Sequence, residues 1–242
     1  MAAGSAISAR SLRYREIDNE LARGGDGEED NSEHHGKPSG IRKLLQDRRV
    51  LMFCIAVVLF HFANAAMLPL VGQRLARGHH GLDPTVYMSA CIIVAQLVMT
   101  PTASIVGRLS EAGRKPIFLL GFAVLPIRGV LYTLSNNPYF LVSVQILDGI
   151  AGGIFGVLSI LVVADLTRGT GRFNLTQGAL NTAIGIGAGL SNLLAGFVVL
   201  HAGYNFGFLM LAAIALVATG VFWFLVPETK ANKTKAIRAA LP

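Results

Sequence analysis

Arg128 and Asp148 each interrupt an apolar stretch long enough to cross a bilayer, in LPIRGVLY and QILDGIAGG. An ionised side chain at mid-bilayer costs about 2.5–3.5 kcal/mol even on the lenient insertion scale, so such a residue implies a partner or a task. The connection between the two stretches, SNNP, is short, which makes the helices that carry them antiparallel neighbours. At a rise of 1.5 Å per residue their depths differ by only about 6 Å, a gap that an arginine side chain spans. Two arrangements follow. Either the residues form an intramembrane ion pair, or Arg128 snorkels to the nearer surface and Asp148 faces the bundle alone. The pair is preferred, because a stranded acid is the costlier outcome.

Other polar residues align at helical spacing. His61 and Asn64 stand three apart in LFHFANAAMLPL, and Gln96, Thr100 and Ser104 fall on one stripe. A further stripe joins Asn174, Gly178, Asn181, Gly185, Gly189, Asn192 and Gly196. It suits close helix packing through small residues such as Gly185 and Gly189, and it suits the lining of a polar cavity equally well. Gly149 and Gly153, next to Asp148, allow tight helix approach. The candidate cavity or substrate-binding set is therefore His61, Asn64, Gln96, Asp148, Asn181 and Asn192. The pairs His34, His35 and His79, His80 have no further ligands at metal-site spacing, and Cys54 and Cys91 lie within apolar spans without a basic neighbour to activate a thiol. No metal and no cofactor is expected. Catalysis by an intramembrane serine is disfavoured, since Ser191 in GAGLSNLL lacks a following glycine and His201 lies at a span end.

These residues must be positioned by membrane helices. Only 14% of the 242 residues are charged, 52% are hydrophobic, and the mean hydropathy is +0.54, against roughly one-quarter charged in a soluble domain. Apolar runs near the 20 residues of a bilayer span recur at 50–73, 85–106, 116–134, 138–164, 176–200 and 204–226. Alternation of the kind found in membrane barrels is missing. The expected class is all-α and polytopic, a six-span bundle over 50–228 embedded in a lipid bilayer. Of the 21 lysines and arginines, all but Arg74, Arg77 and Arg128 fall on one side if the spans alternate. That asymmetry predicts cytoplasmic termini in a plasma or inner membrane. The net charge of +7 is then a topology signal, and its dispersal among short loops argues against nucleic acid. Residues 1–49, with GGDGEEDNSEHHGKPSG, read as a disordered cytoplasmic linker, and residues 229–242 as a basic cytoplasmic tail.

The loop GRLSEAGRKP resembles the signature cytoplasmic loop of the major facilitator superfamily. Gly107 and Glu111 match its opening glycine and acid, and Gly113, Arg114 and Lys115 its closing triplet, with one residue fewer between the acid and the triplet than the family pattern has. LFHFANAAMLPLVGQ, LPIRGVLY, QILDGIAGGIFGVL and LTRGTGRFNLTQGALNTAIGIGAGL are similar to the second six-helix half of bacterial-type permeases of that superfamily, and VPET echoes the family at the end of the sixth span. The resemblance implies transport of a small solute by alternating access, with spans 1, 2, 4 and 5 lining the cavity and spans 3 and 6 supporting it. It implies an N-terminal six-helix half, or self-association, as the missing wall. It also implies that Glu111 pairs with nearby arginines to latch one arrangement, and that any proton coupling in this half falls to Asp148. A non-transporting regulatory half is the alternative.

Overall fold

In the computed structural model, residues 47–78, 83–111 and 113–229 are described. Most of the linker and tail, together with His34, His35, His79 and His80, lie outside the described residues. Among the described residues eight helices follow one another: α1 (Arg48–Asn64), α2 (Met67–Arg77), α3 (Pro84–Leu109), α4 (Lys115–Leu134), α5 (Pro138–Ser143), α6 (Gln145–Thr167), α7 (Phe173–Ala202) and α8 (Tyr204–Leu225). Six segments among them are long and apolar enough to cross a membrane, two of them composite: α1 with α2, and α5 with α6. Their starts follow local chemistry. Asp47, Asp83 and Asn137 each accept a hydrogen bond from the backbone N–H two residues on, satisfying a donor that the helix leaves free. Pro84 and Pro138 then occupy the first helical turn, where the missing N–H costs nothing. The α7–α8 turn needs Gly203, whose φ of 86° is costly for other residues.

The first span breaks at Ala65–Ala66, and the cause is legible four residues later. Pro69 has no N–H for the Ala65 carbonyl, and its ring crowds that oxygen. The Ala66 N–H, also left out of the helix, is taken by Ser191 Oγ on α7 at 2.9 Å in a buried position. By contrast α3 runs unbroken through Pro101 and α4 through Pro126.

The spans alternate in direction, so the chain has two ends. One carries Arg74, Asn136 and Gly203; the other carries Arg114, Asp165 and Glu228. Laterally the helices form an arc: α3 packs on α6, α6 on α4, α4 on α8, α8 on α1, and α1 on α7. Between membrane helices there is no hydrophobic drive, so cohesion comes from close packing. The interior supplies it with Phe53, Phe60, Phe118, Phe122, Phe155 and Phe222, whose rings meet edge-on or stacked at centroid distances of 4.5–5.9 Å. Two glycines of α6 let α3 approach: a Cβ at Gly149 would stand 2.5 Å from the Ala95 carbonyl oxygen, and one at Gly153 would stand 2.8 Å from that of Met99. Gly185 and Gly189 do not do this for α7. A Cβ on either would meet nothing within 4 Å, so the packing expected of them is corrected: within this chain they face open space. The α7 glycine in contact is Gly187, two residues out of phase with that stripe, where a Cβ would strike the Val58 backbone of α1.

Candidate functional site

Arg128 and Asp148 meet. A guanidinium nitrogen of Arg128 bonds an Asp148 carboxylate oxygen across the α4–α6 contact. The arginine side chain is 1% exposed and the aspartate 22%, so the cation is sealed in the bundle and the anion is partly exposed. Around them Arg128 lies over the Tyr132 ring, 5.7 Å from its centroid, and Gln145 Nε2 donates to the Tyr132 hydroxyl at 2.9 Å. A buried charge needs such polar company, because its desolvation is repaid only by a partner and further hydrogen bonds. Sequence reasoning did not select Tyr132 or Gln145. Their spacing from Arg128 and Asp148, four and three residues on the same helices, was the available signal.

The remaining candidates divide into two groups. His61 and Asn64 on α1 are half-buried, and His61 Nε2 and Asn64 Oδ1 have no hydrogen-bond partner among the described residues. The His61 ring stands edge-on to Phe155 at 4.7 Å and to Phe60 at 5.3 Å. Gln96, Asn181 and Asn192 are exposed, on α3 and α7 at the two flanks of the arc. No contact brings the six candidates together into one tight constellation. Of the six, Asn181 and Asn192 share the uncovered side of α7. Asn174, Asn181 and Asn192 lie there with Gly178, Gly185, Gly189 and Gly196, all exposed, and a Cβ on any of these glycines would meet nothing. Asn192 Nδ2 turns back to the Ala188 carbonyl at 2.9 Å. Beside this strip, α1 and α7 flank a cavity of about 640 Å³ lined by Leu51, Cys54, Val58, Asn174, Gly178 and Thr182, among others. Ser191, weighed above as a nucleophile, is buried and occupied with the Ala66 N–H.

At the opposite end from Arg74, the GRLSEAGRKP loop is tied by acids that sequence reasoning passed over. Arg114 bonds the Asp165 carboxylate at the end of α6 through Nε, and through Nη2 at 3.3 Å. Glu228 accepts from the backbone N–H groups of Arg114 and Lys115 at 3.0–3.2 Å, a carboxylate on the positive end of α4. Lys115 Nζ donates to the Trp223 carbonyl at 2.7 Å, and Thr229 Oγ1 donates to Asp165 at 3.3 Å. Glu111 is exposed and forms no ion pair among the described residues. The arginine pairing expected of Glu111 is made by Asp165, because Arg114 begins α4 beside the end of α6. Gly107 is exposed, and a Cβ there would meet nothing, while Gly113 sits 3.4 Å from Glu228 Oε2 by the same measure.

Comparison with known proteins agrees with this architecture. The chain is similar to an uncharacterized MFS-type transporter of Mycobacterium tuberculosis, 51% identical over 230 residues, which cover 95% of this chain and 54% of the relative. A gallate transporter of Pseudomonas putida is 24% identical over 74% of this chain and 40% of its own length. A multidrug transporter of Bacillus subtilis is 22% identical over 72% of this chain and 32% of its own. The chain thus spans about half the length of the curated relatives it matches. Among solved structures, the crystal structure of tetrameric PepTSo2 superposes with a TM-score of 0.63 at 19% identity, covering 80% of this chain and 46% of that one, a likeness of fold. The family model described as Major Facilitator Superfamily matches residues 53–241, and the chain belongs to that superfamily.

Proposed function

We propose that this chain forms one six-helix wall of a transporter that carries a small solute across a cell membrane by alternating access, rocking against a second bundle about a site near mid-membrane. The observation that carries the reading is the uncovered side of α7. Three asparagines and four unpacked glycines on one strip of a 30-residue membrane helix are costly against lipid and useful against water, solute or a facing helix. Half of a cavity does not transport alone, so the second wall is an N-terminal six-helix half or another copy. The names of the relatives, a gallate transporter and a multidrug transporter, support solute transport without fixing this chain's solute.

The partial exposure of Asp148 gives a route for proton coupling. A proton arriving from the open side would neutralise the carboxylate and free Arg128, a change of charge inside the bundle that favours a different α4–α6 packing. The basic end, with Arg48, Arg49, Arg108, Arg114, Lys115, Arg168 and Arg172 against Arg74 and Arg77 at the other, is the cytoplasmic one by the positive-inside bias.

The test is solvent access. In a Cys54→Ser, Cys91→Ser background, Asn181→Cys in native membranes should react with a water-soluble maleimide, and Phe197→Cys, on the far side of α7, should not. Protection of Asn181→Cys together with labelling of Phe197→Cys would reverse the assignment of the open face and sink the reading.

A further inference from the structure

Two arginines escape the charge asymmetry, and they share a cavity. Arg74 and Arg77, three apart and so on one face of α2, line a hollow of about 630 Å³ with Asn136, Tyr204 and Asn205. No acid lines it. In sequence, residues 79–82 are His, His, Gly and Leu, and both ion pairs among the described residues lie elsewhere. Asp83, the acid nearest in sequence, accepts from the Thr85 N–H.

The two cations are held in place. Arg74 Nη1 donates to the Tyr132 carbonyl at 2.6 Å and its guanidinium carbon lies 5.9 Å from the Phe208 ring centroid, while that of Arg77 lies 5.2 Å from the Tyr204 ring centroid. A guanidinium has five N–H donors, so each retains several. The Tyr204 hydroxyl is buried with no partner among the described residues. The helix α8 begins at the same place. Its first N–H bonded within the turn is that of Gly207, to the Gly203 carbonyl, which leaves the donors of Tyr204, Asn205 and Phe206 and the positive end of the helix dipole at the hollow. Paired guanidiniums, N–H groups left free by the helix and a lining without an acid among the described residues are complementary to a phosphate group.

We infer that this cavity binds a phosphate group, presented either by a phospholipid headgroup in that leaflet or by a soluble phosphate. The site is separate from the open face of α7 and does not depend on the transport reading.

The experiment uses the full chain, purified in detergent and stripped of lipid, with its thermal midpoint followed as phosphatidylglycerol or inorganic phosphate is added. A saturable rise with phosphatidylglycerol alone assigns a lipid headgroup; a rise with inorganic phosphate as well assigns a free anion. Arg77→Gln, at an exposed position, should keep the helical spectrum and weaken the apparent affinity by about tenfold, the effect of roughly one charge-assisted contact. Arg168→Gln removes the same charge at the other end and should leave the titration unchanged. The assignment fails if neither probe gives a saturable shift, if Arg77→Gln titrates like the parent, or if Arg168→Gln weakens binding as much as Arg77→Gln does.

Discussion

Arg128 is sealed in the bundle while its partner Asp148 is a fifth exposed, and that inequality decides how each substitution behaves. Arg128→Ala strands a carboxylate and should destabilise the protein by about 3–5 kcal/mol. Adding Asp148→Ala should restore part of the loss, read as recovery of the thermal midpoint in detergent; an additive double variant would show that the pair contributes nothing. The pairing was legible in the sequence because both charges sit in apolar runs joined by a short turn. Which of the two is the more exposed was not, since that depends on how the neighbouring helices pack around α4 and α6. Residue types also misplace the tight contact in α7. Gly185 and Gly189 stand out by their four-residue spacing, yet the contact is at Gly187, and only the position of α1 reveals it. Gly187→Ala should therefore cost about 1–3 kcal/mol through a clash with the Val58 backbone. Gly189→Ala, with space around it, should be neutral or gain up to about 1 kcal/mol from reduced backbone entropy. Equal midpoints for these two variants would remove the assigned α1–α7 contact.

Among the helices, the telling feature is the joint between α1 and α2. Hydropathy alone reads 50–73 as one span, since a break of two residues leaves the apolar run intact, and Pro69 in the sequence does not say whether the helix bends or interrupts. The neighbours decide it: Pro101 and Pro126 sit in unbroken helices, whereas the joint before Pro69 has a serine on α7 to take the orphaned N–H. Ser191→Ala should cost about 1–3 kcal/mol, the desolvation of an unpaired buried donor, and Ser191→Thr should retain most of the stability. A loss shared equally by both variants would mean that side-chain volume at position 191 matters and the hydrogen bond does not.

At the scale of the molecule, one end of the bundle is tied and the other is hollow. Arg114, Asp165, Glu228 and Lys115 join the starts and ends of α4, α6 and α8. Glu228→Gln keeps some hydrogen bonding but removes the charge at the α4 N-terminus. It should loosen that end, seen as faster amide exchange in the first turn of α4, with the exchange of α7 unchanged. Uniform acceleration across all helices would show global destabilisation instead. The sequence displayed the loop GRLSEAGRKP and the VPET segment as separate features. Their joining was hidden because it spans more than 110 residues and runs through backbone donors, which leave no mark in residue identity.

The Ser191 hydrogen bond also limits how the assembly can move. In a medium without water to replace a lost partner, sliding α7 past α1 by more than the tolerance of one hydrogen bond would abandon the Ala66 donor. The Gly187 contact, four residues away on the same helix, leaves no clearance for such a slide either. These two fastenings hold α1, α2 and α7 together as one unit, as the close approach at Gly149 and Gly153 does for α3 and α6.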